Sequence, residues 1–270
     1  MKRVLKGDEP ASLRAYRQAH PQASWDELKN DAQHGGKQAY TDIRDQTHTD
    51  SIGLCAYCEI DIQDNDPLKS QIEHFHPKSD KSTAINWALA WGNMFAVCKG
   101  GANKHGAAPH TMEPLTENLS CDAHKNRLIQ QNILAEACEG WILNPLQLQA
   151  WHSLFEINKL TGELRASDAN CAAAAPWPKN QHADTKALVE HTIVSLNLNC
   201  TRLYQARLAV VHDVERNKKK QRLAGCTPQQ GLANLAVRYL NKPWPRFFTT
   251  VCMCLGSAAD DYLQQIQYQG

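Results

Sequence analysis

Ile72-Glu73-His74-Phe75-His76-Pro77-Lys78-Ser79 sets a carboxylate beside an imidazole shortly before a proline. In an extended strand neighbouring side chains alternate, so His74 and His76 share one face and Glu73 takes the other, unless the strand bends. The residue before a proline is pushed out of the helical region, which favours a bend at Pro77. A Glu-His pair offers one hard oxygen ligand for an ion such as Mg²⁺, together with a base that titrates near neutrality. Such a pair can activate water against a phosphodiester, but it also occurs on ordinary protein surfaces, so the neighbourhood decides. His76 is read as a surface or packing histidine.

Upstream stands Cys55-Ala56-Tyr57-Cys58, sixteen residues before His74 counted from Cys58. A Cys-x-x-Cys turn presents two thiolates to one tetrahedral Zn²⁺. The competing redox reading needs a βαβ context that this sequence lacks. Two further ligands are needed, and Cys98, Cys121, His105, His110 and His124 are the candidates. Cys98 closes the segment Trp91-Gly92-Asn93-Met94-Phe95-Ala96-Val97-Cys98, and Cys121 opens Ser120-Cys121-Asp122-Ala123-His124-Lys125-Asn126. A loop over 99–120 would bring both thiols to the first pair, so Cys55, Cys58, Cys98 and Cys121 form the best quartet.

The remaining chain is ordinary in bulk. It has 270 residues, 29 basic and 28 acidic side chains, ten cysteines and 42% apolar residues, which excludes wholesale disorder. Its length fits one large or two small domains at roughly 100–200 residues each. No apolar run is long enough to span a membrane. Met1–Pro10 is basic without the apolar core of a signal peptide, so a cytoplasmic setting is expected, where cysteines serve metals before disulfides. A net charge of +1 argues against a uniformly basic nucleic-acid coat.

Periodicity predicts an α+β fold. Residues 11–48 read as helix, with a Ser24-x-x-Glu27 capping box and a break at Gly35-Gly36. Short β-prone pieces, 60–62 and 71–75, flank Asp64-Asn65-Asp66-Pro67, and 85–97 reads as helix-compatible. A hairpin is expected over 155–165 around Thr161-Gly162, and 169–180 is read as a boundary loop. Helix follows from 185 to 222, with Asn199 able to cap a second helix within it, and again near 228–240 and 257–267. The expected organisation is a helical segment 1–50, a core 51–130, a connecting hairpin and loop 131–180, and a helical region 181–270.

Residues 201–222 carry seven basic side chains, among them Lys218, Lys219 and Lys220, against Asp213 and Glu215. That segment is either a phosphate-attracting patch or a solvated helix end. Cys252-Met253-Cys254 reads as buried thiols, and Trp177 and Trp244 as partner-surface or core residues.

Cys-x-x-Cys, Glu-His-x-x-Pro, Asn-(apolar)-x-x-x-Cys and Cys-Asp-x-x-Lys, in that order, resemble the HNH endonucleases with a ββα-metal (His-Me finger) core. The similarity is greatest to the PtuB-type HNH proteins of Septu and retron-associated antiphage systems. Lys6-Gly7-Asp8-Glu9-Pro10 and Leu196-Asn197-Leu198-Asn199-Cys200-x-x-Leu203-x-x-x-Arg207 extend it along most of the chain. The resemblance implies His74 as general base, Glu73 and Asp122 as ligands of a catalytic Mg²⁺ or Mn²⁺, and Asn93 as a brace for the loop holding the base. It implies a structural zinc knuckle of Cys55, Cys58, Cys98 and Cys121. The short family spacing between the second cysteine pair is expanded here to 22 residues, 99–120, so Asn103-Lys104-His105 rivals Asp122 as the source of the last ligand.

The expected nucleic-acid contacts are Lys78, His124, Lys125, Lys218, Lys219 and Lys220, with His124 an alternative ligand. The resemblance further implies a PtuA-type ATPase partner docked on 181–270, and a retron reverse transcriptase with its DNA–RNA hybrid. No Gly-x-x-x-x-Gly-Lys-Ser/Thr motif occurs in this sequence, so nucleotide dependence would come from another subunit. DNA is the expected substrate. The alternatives are structured RNA such as tRNA, or a non-catalytic zinc-stabilised binding module.

Overall fold

The computed structural model describes residues 1–102, 116–150 and 152–270; the expectations at Asn103, Lys104, His105 and His110 lie outside them. Three helices lead the chain, α1 (Ala11–Ala19), α2 (Trp25–Asn30) and α3 (Gly36–Ser51). Ser24 and Glu27 form the expected reciprocal capping box at α2. Leu13, Trp25, Leu28 and Ile43 bury a small apolar core between these helices, which Ala88, Leu89 and Met94 complete from the next part of the chain. Gly36 permits the tight junction: a Cβ there would sit 2.4 Å from the Leu28 carbonyl oxygen.

β1 (Ser70–His74) pairs antiparallel with β2 (Met94–Cys98), from Ser70 opposite Cys98 to His74 opposite Met94. Among the described residues the sheet has two strands, so one edge of β1 has no described strand beside it. Helix α4 (Cys121–Gln130) and helix α3 both pack on β2. This corrects the helical reading of 85–97. All five residues of β2 are buried, and a strand covered on both faces shows a continuous apolar run instead of alternation, which periodicity does not separate from helix.

β3 (Phe155–Ile157) and β4 (Leu164–Ala166) form the expected hairpin. The helices α5 (Asp168–Ala173), α6 (Thr185–Ser195), α7 (Thr201–Leu223), α8 (Pro228–Leu240), α9 (Phe248–Leu255) and α10 (Ser257–Gln265) complete the chain. The stretch 169–180 is therefore partly helical. Helix α9 was not legible, because its apolar residues are buried nearly all round. Trp244 is buried, and Trp177 is half-buried against the core. Cys254 is buried, whereas Cys252 is only half-buried. One apolar cluster runs from Val4 through Leu54, Phe95, Leu188 and Val214 to Leu263.

The break between α6 and α7 has a structural use. Asn199 does not cap α7; Cys200 holds that position. The Asn199 side chain instead pairs both ways with the Leu164 backbone, at 2.8 Å each. Asn197 donates to the carbonyls of Glu117 and Leu119, and the Leu196 carbonyl receives the Cys121 amide at 2.8 Å. The C-terminal helices thereby fix the entry to α4. No helix among the described residues is long and apolar enough to cross a membrane.

Candidate metal centres and catalytic cavity

Cys55 and Cys58 sit on the turn enclosed by the bridge between Leu54 and Asp61, Cys98 ends β2, and Cys121 opens α4. All four are buried, and their sulfurs lie within 4.8 Å of one another. The Cys55–Cys121 and Cys58–Cys98 sulfur distances are 3.9 and 3.7 Å. Zn–S bonds of about 2.3 Å in a tetrahedron place sulfurs about 3.8 Å apart, so the cluster fits a Zn²⁺. Burial opposes charge on these thiols, yet hydrogen bonds from Cys121, Cys58 and Cys98 hold Cys55 well below its ordinary value. A thiolate is the form that binds metal.

The close approach of Gly100 to the Ser120 backbone depends on a conformation that glycine supplies. Gly100 has φ +62°, and a Cβ on it would meet the Ser120 carbonyl oxygen at 2.1 Å. The Ser120 amide returns a hydrogen bond to the Gly100 carbonyl at 2.9 Å. Cys121 itself has φ 54°, an uncommon left-handed backbone for a residue with a side chain. Arg202, fully buried, spans this junction by donating to the Asn118 carbonyl at 3.0 Å and to the Ser120 hydroxyl. Arg207, also buried, donates to the carbonyls of Gly162 and Leu198. The basic patch expected over 201–222 is smaller as a result. Two of its seven cations are internal struts, and Lys218 and Arg216 are paired with Glu215 and Asp213.

Along the free edge of β1 lies a cavity of about 430 Å³, walled by Gln71, Glu73 and His74 on the strand, by Asp122 and Lys125 on α4, and by Trp25 on α2. Contacts on β1 alternate as extended backbone requires. Glu73 Oε1 accepts from the Tyr57 hydroxyl at 3.2 Å and from the Lys125 ammonium. His74 instead packs edge-on against Trp25, with ring centroids 4.6 Å apart.

The Lys125 ammonium lies 3.7 Å from Asp122 Oδ1, so two buried carboxylates share one cation. Burial and the neighbouring Asp122 charge push Glu73 up to about 8, against the pull of Lys125. Asp122 Oδ2 accepts from Gln71 Nε2 at 2.5 Å, while Oδ1 is buried with no hydrogen-bond partner. That orphaned oxygen beside a second carboxylate is the chemistry of a divalent cation site, and an oxygen donor set suits Mg²⁺ or Mn²⁺. Glu73 and Asp122 are the residues that fit it.

His74 Nε2 lies 3.1 Å from the Ala88 carbonyl oxygen. A carbonyl only accepts, so Nε2 carries the proton and Nδ1 keeps the lone pair. Burial holds the imidazole down to about 4, so it is neutral at neutral pH. Asn93 is buried, receives the His76 amide on Oδ1 at 2.7 Å and donates Nδ2 to the carbonyls of His76 at 3.0 Å and Trp87 at 3.1 Å. It ties the chain just past His74 to the loop that precedes β2.

The other expected residues fall unevenly. Lys78 lines the cavity, and Lys125 lines it as a buried partner of carboxylates. His124 is buried beside Arg127 and is not among the cavity-lining residues. Lys218, Lys219 and Lys220 lie near the C-terminal end of α7, outside these walls. His76 is more than a packing residue: Nδ1 meets Glu139 at 2.6 Å, Nε2 meets Asp80 at 2.8 Å, and its ring lies over Trp87. Gln71, Lys99, Lys29 and Trp25 were not singled out from sequence. Gln71 alone carried a signal, two residues before Glu73 on the same strand face. Lys99 donates to Gln71 Oε1 at 3.0 Å, and burial together with the charges of Arg44 and Lys29 lowers its ammonium from the ordinary value.

No family model matches the chain. It is 33% identical over 252 residues to an Escherichia coli protein described as "Retron Ec83 putative HNH endonuclease", spanning 93% of this chain and 92% of that one.

Proposed function

The chain belongs to the HNH endonuclease family, and from that membership we propose a specific chemistry: metal-dependent hydrolysis of nucleic-acid phosphodiesters on a ββα-metal core formed by β1, β2 and α4. The observation that carries the reading is the buried Asp122 Oδ1, which has no hydrogen-bond partner and shares the Lys125 ammonium with Glu73, beside a histidine whose Nε2 meets a carbonyl oxygen. His74 Nδ1 accepts a proton from water as the water oxygen bonds to phosphorus. The bond from phosphorus to the departing 3′ oxygen breaks, and that oxygen leaves with the bonding pair. A divalent ion held by Glu73 and Asp122 would stabilise the charge on that oxygen. Asn93 holds the chain after His74 in register, and Gln71 orients Asp122. The four-cysteine zinc is structural, since a closed thiolate shell leaves no position for substrate.

DNA is the substrate we favour, and the biological setting we propose is antiphage defence beside a retron, as the relative's description suggests for that protein. An ATPase of the PtuA type would supply nucleotide control, since this sequence has no phosphate-binding Gly-x-x-x-x-Gly-Lys-Ser/Thr loop. Helices α6 to α10 offer it a docking surface. The test is to incubate the chain, with and without the product of a neighbouring ATPase gene, against plasmid DNA and total cellular RNA in Mg²⁺ or Mn²⁺. Cleavage that disappears in both Glu73→Gln and Asp122→Asn supports the reading. Cleavage retained by both contradicts it.

A further inference from the structure

The N-terminal helices contribute more to the cavity than a scaffold would. Trp25, Lys29 and Tyr40, from α2 and α3, line it together with Lys99, the residue that follows β2. We propose that Lys29 and Lys99 form a phosphate cradle that holds the nucleic-acid backbone beside the bond being cut. The proposal rests on the nuclease reading and adds the site that grips the strand.

Three features support it. The hydrogen bond of Lys99 goes to a neutral amide, Gln71 Oε1, so that bond brings it no counter-charge. Among the described residues Lys29 has a loose ion pair, 4.0 Å from Asp26 across one turn of α2, and lies 5.9 Å from the centre of the Tyr40 ring. The charges of Arg44 and Lys29 press on the Lys99 ammonium, partly offset by Asp122. Like charges gathered at one end of an open cavity attract an anion with several charged oxygens.

Position gives the direction of the strand. Gln71, which Lys99 grips, precedes Glu73 by two residues on β1, about 6.6 Å of strand rise. That separation is within reach of neighbouring phosphates on one strand. Lys78, exposed beyond His74, also lines the cavity, so cations flank the catalytic pair on both sides. The backbone would then cross the free edge of β1, with one phosphate at Lys29 and Lys99 and the next at Glu73 and His74. Gln71 connects the two positions, because its amide holds Lys99 on one side and Asp122 on the other.

Binding of a fluorescein-labelled DNA duplex to the full chain carrying His74→Ala, in Mg²⁺, tests the cradle. Adding Lys29→Gln and Lys99→Gln should weaken binding of unrelated sequences alike. It should also flatten the slope of log affinity against log salt by about 0.9 per lost contact, so by about 2 for the pair. Lys186→Gln, on α6, should leave that slope as it was. Unchanged zinc content and circular dichroism would establish that the variants are folded. An unchanged slope in the folded double variant overturns the cradle. Continued cleavage by His74→Ala would defeat the mechanism above, while the slope would still decide the cradle.

Discussion

Gln71 Nε2 donates to Asp122 Oδ2 across 2.5 Å, which joins the free-edge strand to the first turn of α4 and leaves Oδ1 turned to Glu73 and Lys125. In the proposed metal site that bond would leave Oδ1 as the oxygen available to a cation. Replacing Gln71 by Leu should therefore weaken Mn²⁺ activation or activity by about 10- to 100-fold, as loss of an outer-shell partner does at metal sites. A Mn²⁺ titration of the cleavage rate checks this, and Gln71→Glu, which adds a third carboxylate, should fail to restore it.

Asn93 makes three hydrogen bonds from a buried position to the two loops around the base. Asn93→Ala frees both loops and misplaces His74. The expected result is roughly a 100-fold loss in kcat with KM little changed, since displacements near 1 Å cost that much. Steady-state kinetics on a short duplex separates the two constants.

His74 is held down to about 4 by burial, below its ordinary 6.5. The base form is therefore present above pH 4 or so, and His74 itself costs activity only when pH falls through that folded value. With saturating Mn²⁺ the rate should stay level from pH 6.5 toward the lowered value. A fall in rate centred at 6.5 would show that the imidazole titrates as though exposed.

The cysteine cluster joins three separate parts of the chain, the 55–58 turn, the end of β2 and the start of α4. Cys55→Ser and Cys121→Ser should each hold less than one zinc and lose cooperative unfolding, because structural zinc contributes on the order of 10 kcal/mol to small sites. Arg202→Met should keep its zinc but release it faster to a chelator. It should also lower stability by about 1–3 kcal/mol for each buried acceptor left unpaired. Metal analysis and denaturant unfolding measure both effects.

Much of the site was legible because its parts are local. Cys55 and Cys58 lie on one turn, and Glu73 and His74 are neighbours, so spacing marked them as candidates and the resemblance supplied their proposed roles. What lay across space was not. Gln71, Lys99 and Lys29 meet only when β1 pairs with β2 and α2 packs beside them, and no periodicity encodes that meeting. Strand β2 read as helix because both its faces are covered. Arg202 and Arg207 read as surface charge because helical spacing does not reveal that a cation faces inward to carbonyls.

The most direct measurement is plasmid cleavage in Mg²⁺ or Mn²⁺ by His74→Ala, with its zinc content determined in parallel. The account predicts that cleavage disappears while the zinc remains at one per chain. Undiminished cleavage by a zinc-loaded His74→Ala protein would contradict it.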